Sequence, residues 1–272
     1  MHIARLAVGE GAVLAVVDPK TQTFRRTRAD AVNFAAPESL LAGLGAPEPF
    51  DGVRFLPPVA PRIIVGVGLN YRAHAEEQGR ALPAEPPLFL KNPRSLAGPF
   101  DAVPLHPASA CLDYEAELGI VIGRPLFDCS FAEAQAAIFG WTIVQDYTLR
   151  DLVRPETLTI AKGGPGMAPM GPWLTTTAAV CVEQASMLAI RCRVNGELRQ
   201  DSSTADMHFA PVELVHRIAR HLPLGPGDVI ATGSPGGSGV GFSPPRWLAE
   251  GDMVETEISG LGRMWQRIVR NS

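Results

Sequence analysis

Apolar residues along this chain come mostly in short runs, broken by glycine and proline. RIIVGVG from Arg62, LGIVIG from Leu118, TIV from Thr142 and DVIA from Asp228 all read as strands. LGIVIG has no polar face, which predicts a strand buried on both sides. Helical spacing is rarer. PESLLAGLG predicts a short helix ended by glycine, and FAEAQAAIF another. NYRAHAEEQGR predicts a short helix opened by Asn70 and closed by Gly79. PVELVHRIARHL places Leu214, Val215, Ile218 and Leu222 on one helical face. Asn195-Gly196 supplies the two positive-φ residues of a tight hairpin turn.

The first strands, IARLAV, AVLAVVD and TFRRTR, precede a proline-rich stretch, APEPFDGVRFLPPVAPR, which reads as a linker because proline fixes φ and stops helices. The boundary falls near residue 57, giving a small N-terminal α/β domain over 1–56 and a larger domain over 57–272. Strands do not alternate regularly with helices, so a doubly wound parallel sheet is disfavoured. The expected class is α+β, mainly β, with long glycine- and proline-rich loops.

Bulk properties narrow the function. A formal net charge of −4, without basic runs, argues against a nucleic-acid partner. No apolar run suits a membrane span, and the N-terminus lacks a signal-peptide pattern, so a cytoplasmic protein is expected. Four scattered cysteines without C-x-x-C read as buried free thiols.

LDYEAELGIVIG holds the main chemical signal. Asp113, Glu115 and Glu117 alternate, so a strand would point all three the same way. Two such carboxylates about 4 Å apart repel by about 4 kcal/mol at an effective dielectric near 20. Glu255 and Glu257 share the spacing and read as a solvated edge; here the apolar run that follows implies burial, and a buried acid pair needs a cation. Carboxylates without nearby His or Cys suit Mg²⁺ or Mn²⁺. Asp146, ending the apolar strand of WTIVQD, is a candidate third ligand or a turn residue. His74 and Glu77, three apart, would touch on a helix, and a carboxylate beside an imidazole raises its basicity. ATGSPGGSGVG is no phosphate loop, but its N–H groups and Thr232 are placed to meet an oxyanion. Arg150 and Lys162 are candidates to clamp a carboxylate or to pair with the acids.

These segments together resemble the fumarylacetoacetate hydrolase family. VGLNYRAHAEE, PPLFLKNPRSLAGP, LDYEAELGIVIG, QDYTLRD, AKGGPGMAPMGPWL, VNGELRQDSSTADM, LPLGPGDVIATGSPGG and LAEGDMVETEISGLG follow the family's order from about residue 61 to 269. The resemblance implies a mixed β-roll, a homodimer, and Mg²⁺ or Mn²⁺ on Glu115, Glu117 and Asp146. It implies a base dyad of His74 and Glu77 on a lid helix, with Lys162 supporting the ligands. Tyr71, Arg150, Thr232 and Gly233 would contact substrate. Gln145, Val153 and the 163–168 loop depart from the family pattern, the last two where substrate selectivity is expected.

The expected activity is metal-dependent hydrolysis of a C–C bond in an acylpyruvate-type 2-oxo acid. The alternatives on the same site are an isomerase, hydratase or decarboxylase of such acids. Outside catalysis, the alternative is a metal or small-acid binder.

Overall fold

The computed structural model describes residues 1–271. Strands dominate, and the principal sheet has 12 strands. Its central path runs Gly11–Asp18, His2–Val8, Ala168–Thr176, Ile138–Gln145, Ala116–Ile122, Val229–Ala231, Ile64–Val67 and Leu88–Lys91. Along it only Val229–Ala231 and Ile64–Val67 pair in parallel. A second sheet of 5 strands carries the Asn195-Gly196 hairpin, with φ of 52° and 82° at those two residues. The main core fills the space between these layers, with Leu118, Ile120, Trp141, Ile190 and Met264 all buried in it. This is the mainly β, mixed-sheet class expected from the short apolar runs.

The N-terminal strands join the principal sheet through His2–Val8, which pairs with Ala168–Thr176. The proline-rich stretch folds onto this sheet. Glu48–Pro49 pairs with Thr23–Arg26, and Phe55–Leu56 with His2–Val8.

Several local expectations change. Asn70 does not cap the helix after it; Tyr71 occupies that position without a side-chain cap. The Asn70 amide instead donates to Phe209 O and Thr232 O and accepts from Phe209 N, at 2.8–3.1 Å. A buried amide that can satisfy three backbone groups between loops gains more there than at a solvent-facing helix start. The helix after Asn70 spans Arg72–Glu77, and Gly79 follows it at φ +63°. PESLL is a 3-10 turn, and the Pro211–Ala219 helix ends before Leu222. All four cysteines are free; Cys192 is buried and the other three are half-exposed.

Candidate metal centre and cavity

The Ala116–Ile122 and Ile138–Gln145 strands form a long antiparallel pair, buried along its whole length. Its open end pairs Ala116 with Gln145, so Glu115 and Asp146 leave the ladder side by side. The Asp146 N–H donates to Glu115 O at 2.9 Å, and Gln200 fixes Ala116 N–H at 3.0 Å. Glu117 lies one register position further in, opposite Val144. One ligand oxygen from each of Glu115, Glu117 and Asp146 lies within 4.8 Å of the others, and all three side chains are buried.

Asp113 does not join them. The strand breaks after Asp113, whose carboxylate turns to the backbone N–H groups of Tyr114, Gly239 and Val240 and to Arg150 Nε at 2.7 Å. Three N–H donors and a guanidinium satisfy it without a metal.

Cations neutralise the cluster unevenly. Lys162 Nζ donates to Glu115 Oε2 at 2.6 Å, Asp146 Oδ2 at 2.7 Å and Thr148 Oγ1 at 2.7 Å. Arg150 Nη2 donates to Glu115 Oε1 at 2.5 Å. Lys91, fully buried, donates to Asp146 Oδ1 and to Lys162 O. Burial opposes charge on Glu115, but Lys162 and Arg150 outweigh it and hold its carboxyl well below the usual range. Glu117 goes the other way. Burial, Asp146 and Glu115 push it well above that range, and one N–H, from Gly233 at 3.0 Å, points to it. The acid in excess is therefore Glu117. A buried, all-oxygen set with one carboxylate short of positive charge fits a hard divalent cation.

Because burial and neighbouring acids raise the folded-state pKa of Glu117, its neutral form contributes stability at low pH, and that contribution is lost as pH rises through the raised value. The melting-temperature gain from Mg²⁺ or Mn²⁺ over chelated protein is expected to widen with rising pH across that interval. A gain constant with pH contradicts it.

His74 is buried at the cavity wall, on the Arg72–Glu77 helix. Its Nε2 lies 3.6 Å from Glu115 Oε1 and 2.8 Å from Gln78 Nε2. Its Nδ1 lies 3.6 Å from Glu77 Oε2 and has no hydrogen-bond partner. Burial lowers its pKa, but Glu115 and Glu77 outweigh burial and raise it. Glu77 accepts from Gly237 N at 2.6 Å, and Gly241 leaves room for it: a Cβ there would sit 2.7 Å from Glu77 Cδ.

A cavity of about 460 Å³ opens beside the cluster, lined by His74, Glu115, Glu117, Arg150, Lys162 and Ser234, with Phe89 and Val153 among its apolar wall. None of residues 163–168 lines it. Of the four residues expected to contact substrate, only Arg150 opens into it. The Thr232 hydroxyl donates to Leu118 O, the Gly233 N–H serves Glu117, and Tyr71 is buried with its hydroxyl unpartnered. A larger groove of about 1090 Å³ follows the N-terminal strands, but its charged residues, Asp18, Lys20, Asp51, Glu257 and Arg263, are all exposed. The buried acids make the smaller cavity the candidate chemical site.

Lys91 and Gln200 were not singled out from sequence. In LFLK, Phe89 and Lys91 take the buried positions and Leu90 is exposed. Strand alternation therefore put Lys91 on the inward face, a signal available in the sequence.

The model of the fumarylacetoacetate (FAA) hydrolase C-terminal domain matches residues 63–269. The oxaloacetate tautomerase YisK of Bacillus subtilis is 39% identical over 209 residues, 75% of this chain and 69% of that protein. The solved fumarylacetoacetate hydrolase of Exiguobacterium antarcticum superimposes with a TM-score of 0.88 at 31% identity, covering 100% of both chains. A 5-carboxymethyl-2-hydroxymuconate delta-isomerase from Mycobacterium smegmatis does so with a TM-score of 0.83 at 31% identity, again over 100% of both. With the match spanning most of the sequence and the whole fold, the chain belongs to the fumarylacetoacetate hydrolase family of enzymes.

Proposed function

We propose that this protein is a divalent-metal-dependent enzyme that moves a proton on a 2-oxo acid, interconverting keto and enol forms or shifting a conjugated double bond. The observation that carries this reading is the placing of Glu115 and Glu117 on the same cavity wall as His74, with Asp146 completing the acid cluster. Glu115, Glu117 and Asp146 would hold Mg²⁺ or Mn²⁺. When bound, the metal supplies Lewis acidity to the 2-oxo group and its carboxylate.

The chain's own residues do the rest. Lys162 and Arg150 hold Glu115 in position, and Lys91 and Lys162 hold Asp146. His74 takes the proton beside the carbonyl and returns it, with Glu77, 3.6 Å from its Nδ1, supporting its positive charge. Glu77, tied to Gly237, keeps the lid helix over the cavity and limits water. The reading includes a homodimer in the cytoplasm, which solution mass and fractionation check.

The same dyad supports a second reading, the C–C hydrolysis expected from sequence, because a base beside the cluster can also activate water. A panel separates the two. With Mg²⁺ or Mn²⁺ present, the protein is expected to speed decay of oxaloacetate enol absorbance, with NMR showing only the keto form as product. Release of pyruvate from acylpyruvates establishes hydrolysis instead. No change in any 2-oxo acid leaves a non-catalytic binder.

A further inference from the structure

His74 has a carboxylate near each ring nitrogen. Glu115 Oε1 lies 3.6 Å from Nε2, and Glu77 Oε2 lies 3.6 Å from Nδ1. A carboxylate only accepts, so each attracts the one proton of a neutral imidazole, and distance does not choose between them. The choice matters to a base. Nε2 is the nitrogen turned toward the acid cluster, so a proton held there leaves the lone pair on Nδ1, facing Glu77 instead.

Gln78 breaks the tie. It ends the Arg72–Glu77 helix, four residues after His74, with its backbone N–H donating to Ala75 O at 3.2 Å. Its amide Nε2 lies 2.8 Å from His74 Nε2, and both side chains line the cavity. It is the ring's one hydrogen-bond partner among the described residues. An amide nitrogen donates and cannot accept, so His74 Nε2 accepts in this pair and the ring proton is left to Nδ1. We propose that Gln78 is a positioning residue, whose amide N–H selects the imidazole tautomer that keeps the Nε2 lone pair toward the cavity and gives way when substrate takes its place. This inference rests on the proposed role of His74 as the base and adds the residue that sets its working form.

Two variants of opposite hydrogen-bond character test it. Gln78→Leu removes the donor. Gln78→Glu keeps the shape and puts an acceptor in place of the donor. Nitrogen-15 NMR of Mg²⁺-loaded, histidine-labelled protein reads the tautomer, with the His74 signal identified by its absence in His74→Ala. At a pH where the ring is uncharged, the wild type is expected to carry the proton on Nδ1. Gln78→Leu is expected to shift the tautomer ratio toward Nε2–H by about 2- to 10-fold, the range of one neutral hydrogen bond, and Gln78→Glu to shift it further. Turnover is expected to follow: kcat falls in Gln78→Leu and falls further in Gln78→Glu, while KM is not raised in Gln78→Leu because substrate no longer displaces the amide. A role in packing alone would instead leave Gln78→Glu, the variant of like shape, nearest the wild type. A wild-type proton on Nε2, a tautomer that moves in neither variant, or a kcat that does not follow it overturns this inference alone. Normal turnover in His74→Ala overturns the base reading and the role of Gln78 with it.

Discussion

Replacing Glu117 by glutamine is expected to lower divalent-metal affinity by more than about 100-fold, beyond the effect of losing a residue that merely supports a ligand. The metal-free variant is expected to be at least as stable as the parent. The two effects have opposite signs for one reason. Without metal, Glu117 is the buried acid that burial, Asp146 and Glu115 push toward its neutral form. An amide of the same shape removes that conflict and still accepts from Gly233 N, now 3.0 Å from the carboxylate. With metal, the conflict becomes the binding energy, and the amide loses it. Titration with Mn²⁺, alongside thermal unfolding with and without chelator, checks both halves. A variant that binds metal like the parent, or that is strongly destabilised when metal-free, contradicts the assignment.

His74→Ala is expected to reduce turnover by about 10²- to 10⁴-fold while leaving metal affinity within a few-fold of the parent. The imidazole lies 3.6 Å from Glu115, outside direct bonding to the cluster, and His74 is not among the grouped ligand residues. Its protonation gives a second readout. A base works in its neutral form, and because Glu115 and Glu77 outweigh burial to raise its pKa, the rate rises with pH through that raised value. Glu77→Gln removes one of the raising groups, so the acid limb of the pH–rate profile is expected to move to lower pH. A purely structural role for Glu77 would lower the rate without moving the limb. Full turnover in His74→Ala rules out His74 as the base.

The sequence made much of this site legible because strand chemistry is local. Alternation placed Glu115 and Glu117 on one face, and the unbroken apolar run after them foretold a doubly buried strand, as Ala116–Ile122 proves to be. The i,i+3 spacing of His74 and Glu77 foretold their approach. Long-range contacts were less legible. Alternation also placed Asp113 with the two glutamates, but the strand breaks and Asp113 finds donors more than 120 residues away, at Gly239 and Val240. Asn70 likewise left its helix for partners at Phe209 and Thr232. Lys91 and Gln200 bind groups far along the chain, so no spacing rule relates them to the acids. Thr232 shows the limit of reading a glycine-rich segment as a binding loop: its hydroxyl closes a backbone carbonyl of the neighbouring strand, and Ser234, two residues on, reaches the cavity.

Whether one divalent ion is shared by Glu115, Glu117 and Asp146 can be seen by anomalous diffraction from crystals grown with Mn²⁺. A single strong peak is expected at bonding distance from one oxygen of each of these three side chains, absent in Glu117→Gln crystals. A peak on other residues, or none there in protein that turns over 2-oxo acids, would contradict it.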